Sequence, residues 1–150
     1  MSEAAPAPEL VQLFRAARAA GRPQDLADAL PYAGFLGVET SLVEGRLRVL
    51  LPFRQMLVGN PFLPAIHGGA LGGLIELAAT LELIWRHDTE RLPKVVTTTV
   101  DFARSGQPRA LLAEATVTRI GRRIATVGVR LWQDDATRAI ATGQAHFLLS

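Results

Sequence analysis

Between Pro61 and Leu81 only two side chains can ionise near neutral pH, His67 and Glu76. Both stand in the most apolar stretch of the chain, where a charged carboxylate needs a counter-charge, a hydrogen bond or a raised pKa. The neighbours of Glu76, namely Leu74, Ile75, Leu77 and Ala78, predict that it is buried. His67 is followed by Gly68 and Gly69, with Gly72 and Gly73 one turn on. Each glycine inside a helix costs about 1 kcal/mol relative to Ala. A helix start that holds four of them predicts close backbone approach to another group. Such a start leaves the N–H groups of Gly68 and Gly69 unpaired at the positive end of the helix dipole. That is the requirement of an oxyanion hole, and a carboxylate facing it can act as nucleophile or general base on an acyl carbon.

Helix geometry constrains how these groups meet. Nine residues separate His67 from Glu76, which puts them on opposite sides of a helix and ~13.5 Å apart along its axis. One helix cannot bring them together. If one site uses both, two copies of the chain must supply them, which predicts a homodimer with two equivalent sites. Thr80 falls one turn after Glu76 on the same face, so its hydroxyl is expected beside that carboxylate.

The elements that must hold these groups follow from the hydrophobic period. His67 to Arg86 reads as one long helix, apolar on most sides and therefore buried. Before it, Glu9 to Ala20 reads as a short amphipathic helix and Asp25 to Leu30 as a further helical turn. Gly37 to Val43 and Arg46 to Phe53 read as strands joined at Glu44-Gly45, a hairpin signal. Gln55 to Ile66 reads as a loop punctuated by Gly59-Asn60-Pro61 and Pro64. After Pro93 the period is two, and Lys94–Ala103, Arg109–Ile120, Arg123–Gln133 and Arg138–Leu149 are strand candidates with short connections. Strand runs on both sides of one buried helix predict the α+β class, with an antiparallel sheet wrapped around a long central helix. The Ala/Pro-rich residues 1–8 are expected to be disordered, and 9–150 to form a single domain.

Composition narrows the function. The 150 residues are 49% hydrophobic, with no cysteine and a net charge of +2. That excludes bulk disorder, a disulfide scaffold and a thiolate metal site. The start, MSEAAPAPEL, shows no secretory signal, so a cytoplasmic protein is expected. Gln55 to Ile75 lacks Lys, Arg, Asp and Glu, but Asn60, Pro61, Pro64, His67 and its glycines argue against a membrane span. Fifteen of the sixteen basic residues are Arg, spread along the chain without a block, which argues against nucleic acid as a partner. The His, Asp and Glu spacing suggests no metal, and no glycine-rich loop follows a strand in a dinucleotide pattern, so no cofactor is expected.

Asn60, His67-Gly68-Gly69 and Glu76 together resemble the pattern of the hotdog-fold acyl-CoA thioesterases of the phenylacetate-pathway type. The context is similar over roughly residues 30–149: Tyr32-Ala33-Gly34-Phe35-Leu36-Gly37-Val38, Val100-Asp101-Phe102 and Arg119-Ile120-Gly121-Arg122. The resemblance implies hydrolysis of an acyl-CoA thioester to a free acid and CoA. It gives Glu76 the role of attacking or activating water and the Gly68 N–H that of polarising the thioester carbonyl. His67 would orient that loop, Asn60 would position water or carbonyl, and Thr80 would be the hydroxyl one turn after the acid. It implies that acid and glycine come from different subunits of a homodimer or of a dimer of dimers. Two departures stand out. Asn60 lies seven residues before His67, further than the commoner pattern, and Val95 stands where many members carry Ser or Thr, with Thr97 two residues on. Gly69, Thr97 and, for the phosphates of CoA, Arg104, Arg119, Arg122 and Arg123 are the further substrate-binding candidates. A non-catalytic acyl-CoA-binding protein is the alternative function, with an acyl-thioester dehydratase or hydratase ranked below it.

Overall fold

The computed structural model describes residues 7–149; of the disorder expected for residues 1–8, the part over 1–6 lies outside the described residues, while residues 7 and 8 are helical. The chain opens with three helices, α1 (Ala7–Ala20), α2 (Gln24–Ala29) and α3 (Pro31–Leu36). Helix α1 starts two residues ahead of the expected position. Helix α3 was not expected, since no element was assigned to 31–36. Its ends carry the usual signals nonetheless: Pro31 stands in the first turn, and Gly37, at φ 74°, closes the helix in the left-handed region.

Strands β1 (Glu39–Val43) and β2 (Arg46–Leu51) form the expected hairpin. Its turn, Glu44-Gly45, has φ 51° and 77°, the two positive values that a tight hairpin turn requires. The stretch read as a loop contains structure. A single 3-10 turn at Gln55–Leu57 leads into a small separate hairpin of β3 (Val58–Asn60) and β4 (Leu63–Ile66). Then come α4 (Gly68–Arg86) and β5 (Lys94–Phe102), β6 (Leu111–Ile120), β7 (Ile124–Trp132) and β8 (Ala141–Leu148).

The main sheet has the order β1-β2-β6-β7-β8-β5, and every pairing is antiparallel. It wraps α4, which packs on β2, β5, β6, β7 and β8. The α+β class, with its antiparallel sheet around one long helix, is thus the observed one. By length and composition α4 could cross a membrane. Here Leu74, Ile75, Leu81, Leu83 and Ile84 are fully buried in the core it shares with Val49, Leu51, Leu111, Leu131 and Phe147.

Strand β5 does not pair with its chain neighbour β6. It crosses to the far edge beside β8, from Lys94↔Leu148 to Phe102↔Ala141 with a register shift between Val95 and Thr97. Its other edge carries no strand among the described residues, and Val96 and Phe102 are exposed on it.

The helix lies tight on the sheet at Gly143 of β8. A Cβ there would come within 2.6 Å of Ile75 Cγ2 and 2.9 Å of the Thr99 carbonyl oxygen. Ile75 is fully buried and cannot swing aside. Gly143→Ala is therefore expected to destabilise the fold by about 1–3 kcal/mol through overpacking. Thermal unfolding should show a Tm lower by roughly 2–4 °C per kcal/mol for a domain of this size.

Helix α1 seals the far end of α4. Arg18 donates to the carbonyls of Ile84 and His87, both at 2.7 Å, satisfying groups left unpaired at a helix end. Arg15 and Arg18 both bond Asp88. The Arg15 hydrogen bond is the main reason that the Asp88 carboxyl sits below the usual carboxylate range.

Candidate active site

The start of α4 is built around the His67 ring. His67 is the N-cap, in an extended conformation (φ −59°, ψ 134°), and its Nδ1 accepts the Gly69 N–H at 2.8 Å. Imidazole does here what a Ser or Asp side chain does at most helix starts. The ring also lies on Gly59, where a Cβ would come within 2.5 Å of His67 Cδ2, and a Cβ on Gly69 would be 2.8 Å from Nδ1. Two glycines therefore make room for one ring. The main chain is fixed as well, with Ile66 N–H on the Gly106 carbonyl at 2.9 Å and His67 N–H on the Leu57 carbonyl at 2.8 Å.

This cap corrects one expectation. Of the two N–H groups read as unpaired, that of Gly69 is taken by His67. The Gly68 N–H enters no hydrogen bond among the described residues. It stands at the N-terminal end of a 19-residue helix, and residue Gly68 lines a cavity of about 290 Å³ together with Leu71, Phe102, Arg104 and Ser105. Asn60 sits nearby on the β3–β4 hairpin, but its Oδ1 accepts the Phe62 N–H at 3.0 Å, closing the turn.

Glu76 departs from the sequence reading more sharply. It is exposed, although its neighbours Leu74, Ile75, Leu77 and Ala78 are buried. The buried carboxylate of α4 is Glu82, 5% exposed and paired with Arg86 at 2.8 Å. Six residues turn a helix by about 240°, so when Glu82 faces inward Glu76 faces out. Glu76 shares a cavity of about 380 Å³ with Thr80, Gly73, Leu77, Leu30, Pro31 and Tyr32. Thr80 is in place, but its hydroxyl donates to the Glu76 main-chain carbonyl at 2.9 Å rather than to the carboxylate. A helical Thr commonly bonds back to the carbonyl four residues earlier.

Within one chain, then, the Gly68 and Glu76 cavities share no lining residue. Arg104 borders the first. Thr97 is exposed on β5, opposite His146 of β8, and lines neither. Arg119 lines a third cleft with Arg46, Arg86 and Glu82. Arg122 and Arg123 are exposed in the β6–β7 turn. Sequence reasoning missed Tyr32 as a wall of the Glu76 cavity. The signal that could have found it was the proline and glycine that bracket α3.

Residues 60–148 match the profile of a family described as the acyl-CoA thioesterase N-terminal domain. The chain is 28% identical to the medium/long-chain acyl-CoA thioesterase YigI of Salmonella typhimurium, covering 80% of this chain and 86% of that one. A crystal structure of a Chromobacterium violaceum protein superposes with a TM-score of 0.76 at 37% identity, over 93% of this chain and 97% of that one. A phenylacetic acid degradation-related protein of Ralstonia eutropha shares the fold, with a TM-score of 0.73 at 22% identity over 91% and 98% of the two chains.

Proposed function

The chain belongs to the acyl-CoA thioesterase family and is a thioester hydrolase of the hotdog fold, and on that premise we propose that Glu76 of one subunit and the Gly68 N–H of another form each active site. The supporting observation is the separation of the two half-sites. Gly68, whose N–H has no hydrogen-bond partner among the described residues, and the exposed Glu76 line different cavities of one chain. A two-fold dimer closes that separation twice over.

The open edge of β5 is the surface we assign to the contact. A nine-residue edge strand with only Lys94 and Asp101 charged invites pairing with a second copy. In the site, the Gly68 N–H stabilises the negative charge that develops on the thioester oxygen. Glu76 takes a proton from the attacking water and passes it to the departing CoA thiolate, releasing the acid; or it attacks the acyl carbon itself, expelling the thiolate to leave an acyl–Glu76 anhydride, which water then hydrolyses to the acid and free Glu76, the water's proton going to the thiolate. His67 holds the Gly68 N–H outward by capping the next residue, and Asn60 supports it by closing the adjoining hairpin. Thr80 shapes the Glu76 face. Gly69, Thr97, Arg104, Arg119, Arg122 and Arg123 are the candidates for contacts to the rest of the substrate.

Thiol release from a panel of acyl-CoAs tests the reaction, with turnover expected. Sizing in solution tests the assembly. A dimer or dimer of dimers is expected, and a strict monomer would leave Glu76 without an oxyanion donor.

A further inference from the structure

We infer that Tyr32 is the end wall of the acyl-binding cavity, held there by the absence of a side chain at Gly73, and that it sets how long an acyl chain the site accepts. This rests on the reading of Glu76 as the catalytic carboxylate. Three observations carry it. Tyr32 and Glu76 line the same cavity, of about 380 Å³. Besides the ring, its walls are Leu30, Pro31 and Leu77, and the hydroxyl of Thr80 is spent on main chain. A cavity so lined takes the apolar tail of an acyl group, with the carbonyl end at Glu76.

The Tyr32 ring has a fixed place. Its hydroxyl oxygen lies 2.5 Å from where a Gly73 Cβ would stand. Gly73 is on the Glu76 face of α4, three residues earlier, so only a bare backbone there lets the ring approach the helix. From behind, Phe35 stacks on Tyr32 with centroids 6.0 Å apart. Helix α3 is itself clamped at its C-terminal end by Arg54, whose Nη2 donates to the carbonyls of Phe35 at 2.6 Å and Leu36 at 2.9 Å. Tyr32 is 48% exposed, so truncating it removes a wall without opening the core.

The test is a chain-length profile of kcat/KM with butanoyl-, octanoyl-, dodecanoyl- and hexadecanoyl-CoA. Tyr32→Ala is expected to raise the dodecanoyl-to-octanoyl ratio by about 10-fold, the scale on which a hydrophobic pocket discriminates by size. Tyr32→Phe keeps the ring and should leave the ratio within about twofold. Gly73→Ala should change the ratio in the wild-type background but not in Tyr32→Ala, because the group it collides with is then gone. An unchanged ratio in Tyr32→Ala, a shift toward shorter chains, or an equal effect of Gly73→Ala in both backgrounds overturns the inference. If Glu76→Gln still turns over at the wild-type rate, it is the catalytic reading that fails, and the profile loses its frame.

Discussion

Glu76→Gln will lower kcat for acyl-CoA hydrolysis by about 10²-fold or more while leaving the fold intact. The side chain is exposed, and its carboxylate makes no hydrogen bond or ion pair among the described residues. Exposed positions without such contacts usually change stability by no more than about 0.5 kcal/mol. Gln keeps the shape and removes the charge and the basicity, so the loss falls on kcat more than on KM. Glu82→Gln is the matched control on the same helix. The Glu82 side chain is buried and its carboxylate is held by Arg86, whose side chain is 42% exposed. Its loss should cost on the order of 1 kcal/mol, allowing for the solvent that screens the arginine, and leave turnover per folded molecule unchanged. Full turnover in Glu76→Gln would remove this residue from the chemistry. Acyl-CoA binding without turnover by the wild type would favour the non-catalytic alternative.

The contrast between Glu76 and Glu82 also marks where the sequence stops being legible. Both stand in apolar surroundings, yet Glu76, the one expected to be buried, is exposed, and Glu82, which the sequence did not single out, is buried. Facing is decided by which side of the helix the sheet covers, and that depends on contacts with β6, β7 and β8, far along the chain. The position of β5 is another such case. Its period of two identifies a strand, but pairing with β8 rather than β6 is set by the crossing of α4. Local signals were readable wherever they act over a few residues. Glu44-Gly45 gave the hairpin, the glycine run gave the helix start, and the nine-residue spacing from His67 to Glu76 gave the placement of Gly68 and Glu76 on separate cavities. Helix α3 and the β3–β4 hairpin were missed because each is too short to show a period. A capping role for His67 is readable from its place just before the glycine run, but which N–H it takes depends on a side-chain rotamer, which has no sequence signature.

Gly68→Pro will cost about 10²–10³-fold in kcat, the usual loss when one oxyanion donor is removed. The substitution deletes that N–H and little else. Proline is favoured at the first position of a helix, where the N–H has no helical partner. The preceding His67, with ψ 134°, already has the extended conformation that a following proline demands. A Cβ on residue 68 would meet the Phe102 ring at 3.3 Å, and that ring, 60% exposed, can yield. Gly68→Ala carries the same contact and keeps the N–H, so it should retain most activity, and the ratio between the two variants isolates the hydrogen bond. The pair also reports which subunits build a site. Refolding Glu76→Gln together with Gly68→Pro gives mixed dimers in which one site has both defects and the other has none. With random mixing, about a quarter of wild-type activity should return. If each site came from a single chain, every site in the mixture would carry one defect and activity would stay at the level of the parents.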